Sequence, residues 1–214
     1  MTIDMITLVP EEMEERAPYH LLTSIIAPRP IAWIATINAA GVPNLAPFSF
    51  YTAVAGFPPT IMFSVSYRAR LLPREKDTLR NVHEVGEFVC HVVDAAHAEA
   101  MAMTAVDFQP GINEFEKAGL AIAPCIDVKP PRVATAPVAL ECKVTQIIPV
   151  EDSTNIMVLG RVVRFHIREG LLRPNGLVDT LQMDPITRLG GPVEYTKIGQ
   201  LFHLDVPSLE SASE

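Results

Sequence analysis

The sequence predicts a mainly β protein, a β-barrel with α additions, and three observations support this. The 19 prolines are spread over the whole length, which favours many short elements joined by fixed turns. Several segments are rich in β-branched and aromatic residues, as strands are. Signals for helices are fewer and short. Long helical bundles are therefore improbable.

The predicted strands follow from these apolar segments. The segment from Ile31 to Ile37 is apolar on both alternating faces, as expected for a strand that is covered on both sides. Asn38 to Gly41 then form a hairpin turn. Further strands are predicted over residues 44–49 (irregular), 60–66, 87–94, 139–150 and 155–167. Gly160, inside the last of these, indicates a bulge or a bend.

The predicted helices cover one side of this sheet. One begins at Asp77 or Thr78, either of which can cap it, and ends at Gly86. Two others are expected over residues 95–104 and 113–118. No internal repeat or break in composition divides the chain, so we expect a single domain over residues 1–206 and a flexible tail over residues 207–214.

Composition and charge exclude several classes of protein. The chain has 214 residues, 49% of them apolar, which rules out global disorder. Its formal net charge of −8 is opposite to what nucleic-acid binding needs. Neither a signal peptide nor a long apolar run is found, so a cytoplasmic protein without a membrane segment is expected. The glycine fingerprints of Rossmann and P-loop proteins are also missing.

Cysteines and histidines give no clear metal or nucleophile signal. The three cysteines, Cys90, Cys125 and Cys142, are expected to be reduced thiols. An isolated cysteine in an apolar strand is typical of a small core residue, so this is the interpretation we adopt for Cys90, with a nucleophile as the alternative. Cys90 and His91 fall on opposite faces of a strand, and the histidines lack the spacing of zinc ligands. No metal site is therefore expected.

A local excess of positive charge lies between Arg68 and Arg80. This stretch carries five basic residues, Arg68, Arg70, Arg74, Lys76 and Arg80, against two acidic ones. Lys76, Asp77 and Thr78 fall at the first turn of the predicted helix, where free N–H groups and the helix dipole favour an anion. The sequence therefore suggests a phosphate site, although a solvated loop followed by a simple helix cap would have the same pattern.

A second candidate site is the segment from Asn44 to Ser49. Pro43 and Pro47 remove ladder donors, which would leave backbone groups of residues 44–46 available to a planar heterocycle. Ala46 permits close approach and Ser49 can donate to an anion. An edge strand guarded by proline is the structural alternative.

Arg29 is the third candidate. Pro28 and Pro30 restrict its backbone, as a fixed guanidinium in contact with an anion would require. It would equally suit a pair with a carboxylate.

Several blocks of sequence together resemble one family. They are Pro28–Trp33, Gly41–Phe50, Phe63-Ser64, Lys76–Asn81, Gly86–Val89, Pro137–Cys142 and Arg188–Gly191 with Tyr195. In this order and spacing they are similar to the flavin reductase-like, FMN-binding split-barrel family. The resemblance runs from about Pro28 to Tyr195.

The resemblance implies a six-stranded split β-barrel with Greek-key topology, a homodimer, and one noncovalent FMN per subunit. It would place the isoalloxazine ring against the backbone of Asn44, Leu45 and Ala46, with Pro47 adjacent. It would place the phosphate among the residues Ser49, Ser64, Lys76, Asp77 and Thr78, with help from Arg29. Arg188 and Tyr195 would lie near the flavin or the nicotinamide. Relatives often place a histidine there, a role that neither His166 nor His203 can be aligned to.

The function implied is hydride transfer from NADH or NADPH to FMN and then to an acceptor. That acceptor would be a free flavin, a partner monooxygenase or a small oxidised substrate. No catalytic side chain is required, because the flavin supplies the reactivity. The alternatives are a flavoredoxin- or flavodoxin-like electron carrier without nicotinamide turnover, a cofactor-free ligand-binding barrel, and a relative of pyridoxine-phosphate oxidase.

Overall fold

The computed structural model describes residues 3–66 and 75–208. The strands are β1 (Ala32–Ile37), β2 (Pro43–Phe48), β3 (Tyr51–Gly56), β4 (Pro59–Ser66), β5 (Glu87–Val92), β6 (Ile122–Ala123), β7 (Arg132–Val133), β8 (Val138–Pro149), β9 (Asn155–Ile167), β10 (Ile186–Arg188) and β11 (Tyr195–Lys197). The helices are α1 (Ala17–Ile25), α2 (Asp77–Val85), α3 (Ala98–Met103), α4 (Glu114–Lys117) and α5 (Thr180–Met183). Single 3₁₀ turns occupy Pro10–Glu12 and Ala95–His97.

One large antiparallel sheet dominates the fold, in the strand order β2-β1-β5-β8-β9-β4-β3. Its two edge strands, β2 and β3, follow each other in the chain and are joined only by Ser49 and Phe50. The sheet must therefore curl until its edges meet, which makes an open barrel. Two small hairpins, β6-β7 and β10-β11, lie outside it.

The mainly β class with α additions is confirmed, but the expected number of six strands is wrong for this sheet, which has seven. The additional strand is β3, whose residues after Tyr51 are exposed. Its sequence combines small residues with no alternation of apolar and polar positions. It pairs with β4 through the backbone, so side-chain periodicity could not reveal it.

Two hydrophobic cores lie on opposite faces of the sheet. The barrel core contains Ala32, Ile34, Phe48, Phe63, Leu79, Phe88 and Cys90, among others. The outer core contains Trp33, Ala35, Leu45, Val89, Met101, Phe115 and Val133, among others. Strand β1 contributes to both, which confirms that it is covered on both sides. Trp33 is fully buried, and its indole N–H donates to Thr104 Oγ1 at 2.9 Å.

The predicted hairpin turn and the end of helix α2 are confirmed. Asn38 Oδ1 accepts hydrogen bonds from the amides of Ala40 and Val42, and Gly41 adopts a φ of +83°. Gly86 ends α2 with a φ of +72°. Positive φ values of this kind favour glycine because a side chain would be strained there.

Gly160 lies at the predicted irregularity in β9. The pairing of β8 with β9 shifts between Gly160, opposite Val144, and Leu159, opposite Gln146, so Thr145 in β8 is the extra residue. A Cβ atom on Gly160 would lie 2.3 Å from Cζ of Phe88. Gly160 is therefore needed to leave room for a buried ring of the barrel core.

Within residues 3–66 and 75–208, no helix is long and apolar enough to cross a membrane. The predicted tail over 207–214 falls mostly outside the described residues, which end at Ser208.

Candidate functional site

A cleft opens between the N-terminus of α2, the edge strand β2 and the chain around Thr104–Phe108. We call it the α2 cleft; it encloses about 120 Å³ and is lined by Asn44, Ala46, Pro47, Glu75, Lys76, Asp77, Thr78, residues 104–108 and Glu114. Six residues singled out in the two main sequence segments therefore meet in one place: Asn44, Ala46, Pro47, Lys76, Asp77 and Thr78. Arg68, Arg70 and Arg74 of the basic stretch lie outside the described residues.

The first turn of α2 carries no side-chain cap. Lys76 is the N-cap residue and its side chain makes no capping hydrogen bond, so the expectation that Asp77 or Thr78 caps the helix is wrong. Asp77 instead pairs with Arg80 at 2.7 Å. The Lys76 ammonium lies 5.6 Å from the centroid of the Phe48 ring, beside the cleft. The N-terminus of α2 and the Lys76 ammonium thus lie together beside the cleft, an arrangement that suits an anion.

The Thr78 hydroxyl belongs to a buried network that joins α2 to the sheet. Asn44 Nδ2 donates to Thr78 Oγ1 at 3.0 Å and to Thr36 Oγ1 at 3.2 Å. Asn81 Nδ2 also donates to Thr36 Oγ1, at 3.0 Å. All four side chains are buried. The network fixes the helix terminus against β1 and β2, and Thr78 shows only 1% of its surface.

The backbone of β2 is less open than its prolines suggested. The amide of Leu45 donates to Glu114 Oε2 at 3.0 Å. Because residues alternate along an antiparallel edge, this places the neighbouring amides of Asn44 and Ala46 towards β1, opposite Thr36 and Ile34. The expectation of free backbone donors over residues 44–46 is therefore wrong, although Asn44 and Ala46 line the cleft.

Glu114 is one of the cleft residues that the sequence did not reveal, as are Glu75 and residues 104–108. It is 69 positions from Leu45 in the chain, so no local pattern connects them. Burial raises the pKa of its carboxyl, against the opposing effect of the Leu45 amide. The direction of the Leu45 amide also explains why prolines are tolerated at positions 43 and 47. These positions face the same free edge of β2 as Leu45, and a proline has no N–H that would need a partner there.

Arg29 binds the chain itself. Its guanidinium donates to the carbonyls of Thr23, Ile26 and Leu189, and Nε approaches Ser49 Oγ at 3.5 Å. With 6% of its surface exposed, it ties the end of α1 to the β10-β11 hairpin. Among the described residues Arg29 has no carboxylate partner, because backbone carbonyls and Ser49 take most of its donors; the expected contact with an anion stays a prediction.

Ser49 and Ser64 each accept one hydrogen bond. Ser49 accepts from Arg29, and Ser64 accepts from Asn155 Nδ2 at 3.2 Å. Each hydroxyl therefore keeps its own proton for donation to a ligand. Both side chains are half-buried.

Arg188 and Tyr195 face each other across the β10-β11 hairpin. The Arg188 guanidinium lies 4.6 Å from the centroid of the Tyr195 ring and donates to the carbonyl of Pro192 at 2.5 Å. The backbone of Arg188 also pairs with that of Arg29. Gly190 lies against α1, where a Cβ atom would be 2.7 Å from Cα of Ser24. The hairpin is thus fixed beside Arg29 and Ser49.

Cys90 and a cluster around Glu141 are accounted for by packing. Cys90 lies in the barrel core, and burial raises the pKa of its thiol to about 12, which confirms the core interpretation. Cys125, Glu141 and His166 lie within 4.8 Å of one another, as metal ligands would. However, Glu141 already accepts from His166 Nε2 at 2.6 Å and from the amides of Ile126 and Asp127.

Comparison with known proteins identifies the family. A family model described as "Flavin reductase like domain" matches residues 25–184. An uncharacterised protein of Halalkalibacterium halodurans is 39% identical over 212 residues, covering 97% of this chain and 99% of that protein.

Two solved structures extend the comparison. Nitrilotriacetate monooxygenase component B from Bacillus cereus has a TM-score of 0.89 and 37% identity, covering 95% of this chain and 100% of that one. Pseudomonas fluorescens 2-nitrobenzoate 2-nitroreductase has a TM-score of 0.84 and 31% identity, covering 95% and 98%. The chain therefore belongs to the flavin reductase-like family of split-barrel oxidoreductases, and membership of this family implies a flavin cofactor.

Proposed function

We propose that the chain is an FMN-dependent oxidoreductase that passes a hydride from NADH or NADPH through FMN to a downstream acceptor. The observation that carries the proposal is the first turn of α2, which begins after Lys76 and lines the α2 cleft, in a member of a flavin reductase family. Such a turn fits the phosphate of a mononucleotide without any glycine-rich loop.

The residues at the site fit this cofactor. Lys76 would supply charge to the phosphate, with the amides of Asp77 and Thr78 as neutral donors. Ser49 and Ser64 each retain a hydroxyl proton for the same purpose. Asn44, Ala46 and Pro47 would form the wall against the ring system, with Ala46 small enough for close approach. Arg188 and Tyr195 would border the nicotinamide.

When bound, FMN supplies the hydride chemistry, and the chain supplies position and charge. The Asn44–Thr36–Asn81 network holds the α2 terminus in place, so the phosphate donors need little reorganisation on binding. Glu114 fixes the edge of β2 through Leu45. No acid or nucleophile among these residues is needed for the reaction.

Stopped-flow absorbance tests the proposal. FMN-loaded protein should lose its flavin absorbance on mixing with NADH or NADPH, and the faster of the two identifies the donor. Absence of bleaching with both, in protein that binds FMN, would contradict nicotinamide turnover and favour an electron carrier. Colourless protein that takes up no FMN would contradict the cofactor itself.

Removal of the Lys76 charge should weaken the binding of FMN. Lys76→Ala removes a charge-assisted contact to the phosphate, and we expect a loss of about 1–3 kcal/mol. Fluorescence quenching of FMN on titration measures the change. Lys76→Arg should keep most of the affinity, and Lys143→Ala, at an exposed position in β8, is the matched control. Equal affinity in Lys76→Ala and parent would show that the phosphate lies elsewhere.

The acceptor is either a partner monooxygenase or a small oxidised molecule. The Bacillus cereus relative is a component of a monooxygenase, and the Pseudomonas fluorescens relative is a nitroreductase. Turnover with free flavin as the final acceptor would support transfer to a partner. Turnover with a nitroaromatic and no free flavin would support direct reduction.

We also propose a homodimer. Large apolar side chains are exposed on several elements: Ile25, Ile26, Phe57 and Val193. A second copy of the chain could cover such side chains, as protein interfaces do with apolar surface. Light scattering coupled to gel filtration should give twice the mass of the chain, and a monomer at micromolar concentration would contradict the proposal.

A further inference from the structure

A second cavity lies on the outer face of the sheet, away from the α2 cleft. It encloses about 770 Å³ between the end of β7, the start of β8 and the end of β9. Its polar lining consists of His97, Arg132, Thr135, His166 and Arg168. It shares no lining residue with the α2 cleft. We call it the Arg132 cavity, and its size is typical of small-molecule sites.

Arg132 is the cation of this cavity that lacks an acidic partner. Among the described residues no carboxylate lies within ion-pair distance of its guanidinium, and its Nε is buried without a hydrogen-bond partner. A buried donor of this kind is costly unless something satisfies the group. Its charge is felt nearby, because Arg132 contributes to lowering the pKa of His91.

The two acidic side chains near the cavity, Asp94 and Glu141, are already paired with other residues. Asp94 accepts from His97 Nδ1 at 2.5 Å and from Arg168 at 3.0 Å. Glu141 accepts from His166 Nε2 at 2.6 Å and from two backbone amides. Both carboxylates are buried. Since both carboxylates pair with other groups and no ion pair joins either of them to Arg132, the Arg132 guanidinium keeps an uncompensated positive charge at the cavity wall.

The rest of the wall is apolar. It is formed by Ala134, Ala136, Ala139, Ile167 and the ring of Phe165, whose exposed fraction is 57%. An exposed aromatic ring near a guanidinium offers a flat surface to a planar ligand, while the guanidinium fork matches a carboxylate. A dianionic phosphate would find only one uncompensated cation here.

We propose that the Arg132 cavity binds a small organic carboxylate, with the carboxylate on Arg132 and the apolar or aromatic body against Phe165. The Thr135 hydroxyl at the rim and the Arg168 side chain provide further polar contacts, since Arg168 is only partly occupied by Asp94 and the Thr135 carbonyl. The Arg132 cavity shares no residue with the α2 cleft, so this proposal does not depend on the proposed function.

Benzoate is the probe that tests this, by isothermal titration of the parent protein. We expect saturable binding of one benzoate per chain, with a Kd in the millimolar range or tighter. Arg132→Gln should weaken the binding about tenfold or more, because it removes the charge-assisted contact. Arg173→Gln, at an arginine that pairs with Asp179 outside the cavity, is the matched control and should bind as the parent does.

Two further measurements separate the charge from the apolar wall. Phe165→Ala should weaken benzoate binding but leave acetate binding unchanged, and because this ring is exposed the variant should fold even if Arg132→Gln does not. Inorganic phosphate should compete poorly. Equal benzoate affinity in parent and Arg132→Gln, no binding up to about 20 mM, or phosphate competing as well as benzoate would each overturn the proposal.

Discussion

Lowering the pH should destabilise the protein through His91. This side chain is fully buried in β5; Nδ1 lies 2.8 Å from the carbonyl of Trp33, and Nε2 lies 3.0 Å from the amide of Val133. Since an amide N–H must donate, Nε2 accepts and Nδ1–H donates. The neutral imidazole therefore satisfies both partners. In a protonated ring Nε2 would also carry a hydrogen, and this N–H would face the N–H of Val133 with no acceptor between them.

The magnitude follows from the shift in pKa. Burial, together with the charges of Arg132, His97 and His166, lowers the pKa of His91 to about 4, against the opposing effect of the Trp33 carbonyl. The unfolded chain, with a pKa near 6.5, binds the proton first as the pH falls. The contribution of neutral His91 to the free energy of unfolding is thus complete above about pH 6.5. It is lost as the pH falls from about 6.5 to about 4, and the total loss is about 3 kcal/mol.

Urea unfolding at several pH values between 7 and 4 measures the effect. The parent should lose about 3 kcal/mol more of its free energy of unfolding over this range than His91→Gln, whose amide has a donor and an acceptor but no charge. Other groups titrate in both proteins, so only the difference between the two curves matters. His203→Gln, at an exposed position, should follow the parent. Parallel curves for the parent and His91→Gln would refute the reasoning.

Two substitutions test the packing of the cores by urea unfolding. Gly160→Ala should cost about 1–3 kcal/mol, because the new Cβ would meet the buried Phe88 ring, and Phe88→Leu should relieve part of that cost in the double variant; independent effects would contradict the contact. Thr104→Val should cost about 1–3 kcal/mol by leaving the buried Trp33 indole N–H without its acceptor. Thr145→Val, at an exposed threonine of β8, is its control, and an equal cost in both would argue against a role for the indole bond.

Strands with a clear side-chain pattern were predictable from the sequence. The predicted strand over residues 155–167 has the bounds of β9. Gly160 lies at a shift in register, as its sequence position indicates, but the extra residue there is Thr145 of β8. Strand β3 could not be found in this way. Its side chains are mostly exposed, and its place depends on backbone pairing with β4, which leaves no periodic trace.

The residues of the candidate site likewise divide into those with a local sequence signature and those without one. Lys76 and Thr78 were found because a helix terminus has a local signature, and Asn44, Ala46 and Pro47 because prolines mark an edge strand. The carbonyls that Arg29 contacts could not be predicted, since its restricted backbone is equally compatible with a ligand and with these partners. Glu114 was missed, because it lies 69 positions from Leu45 in the chain and no local pattern connects it to the site.

The sequence by itself determined the local properties of this protein: the β character, the turn at Gly41, the end of α2 at Gly86 and the concentration of positive charge near Lys76. These depend on backbone preferences and on neighbours along the chain. Only the tertiary structure decided which donors and charges remain available, at Leu45, Arg29 and Arg132. Whether a polar group is satisfied depends on partners brought from distant parts of the chain, and those partners exist only once the sheet has curled and the helices have packed on it.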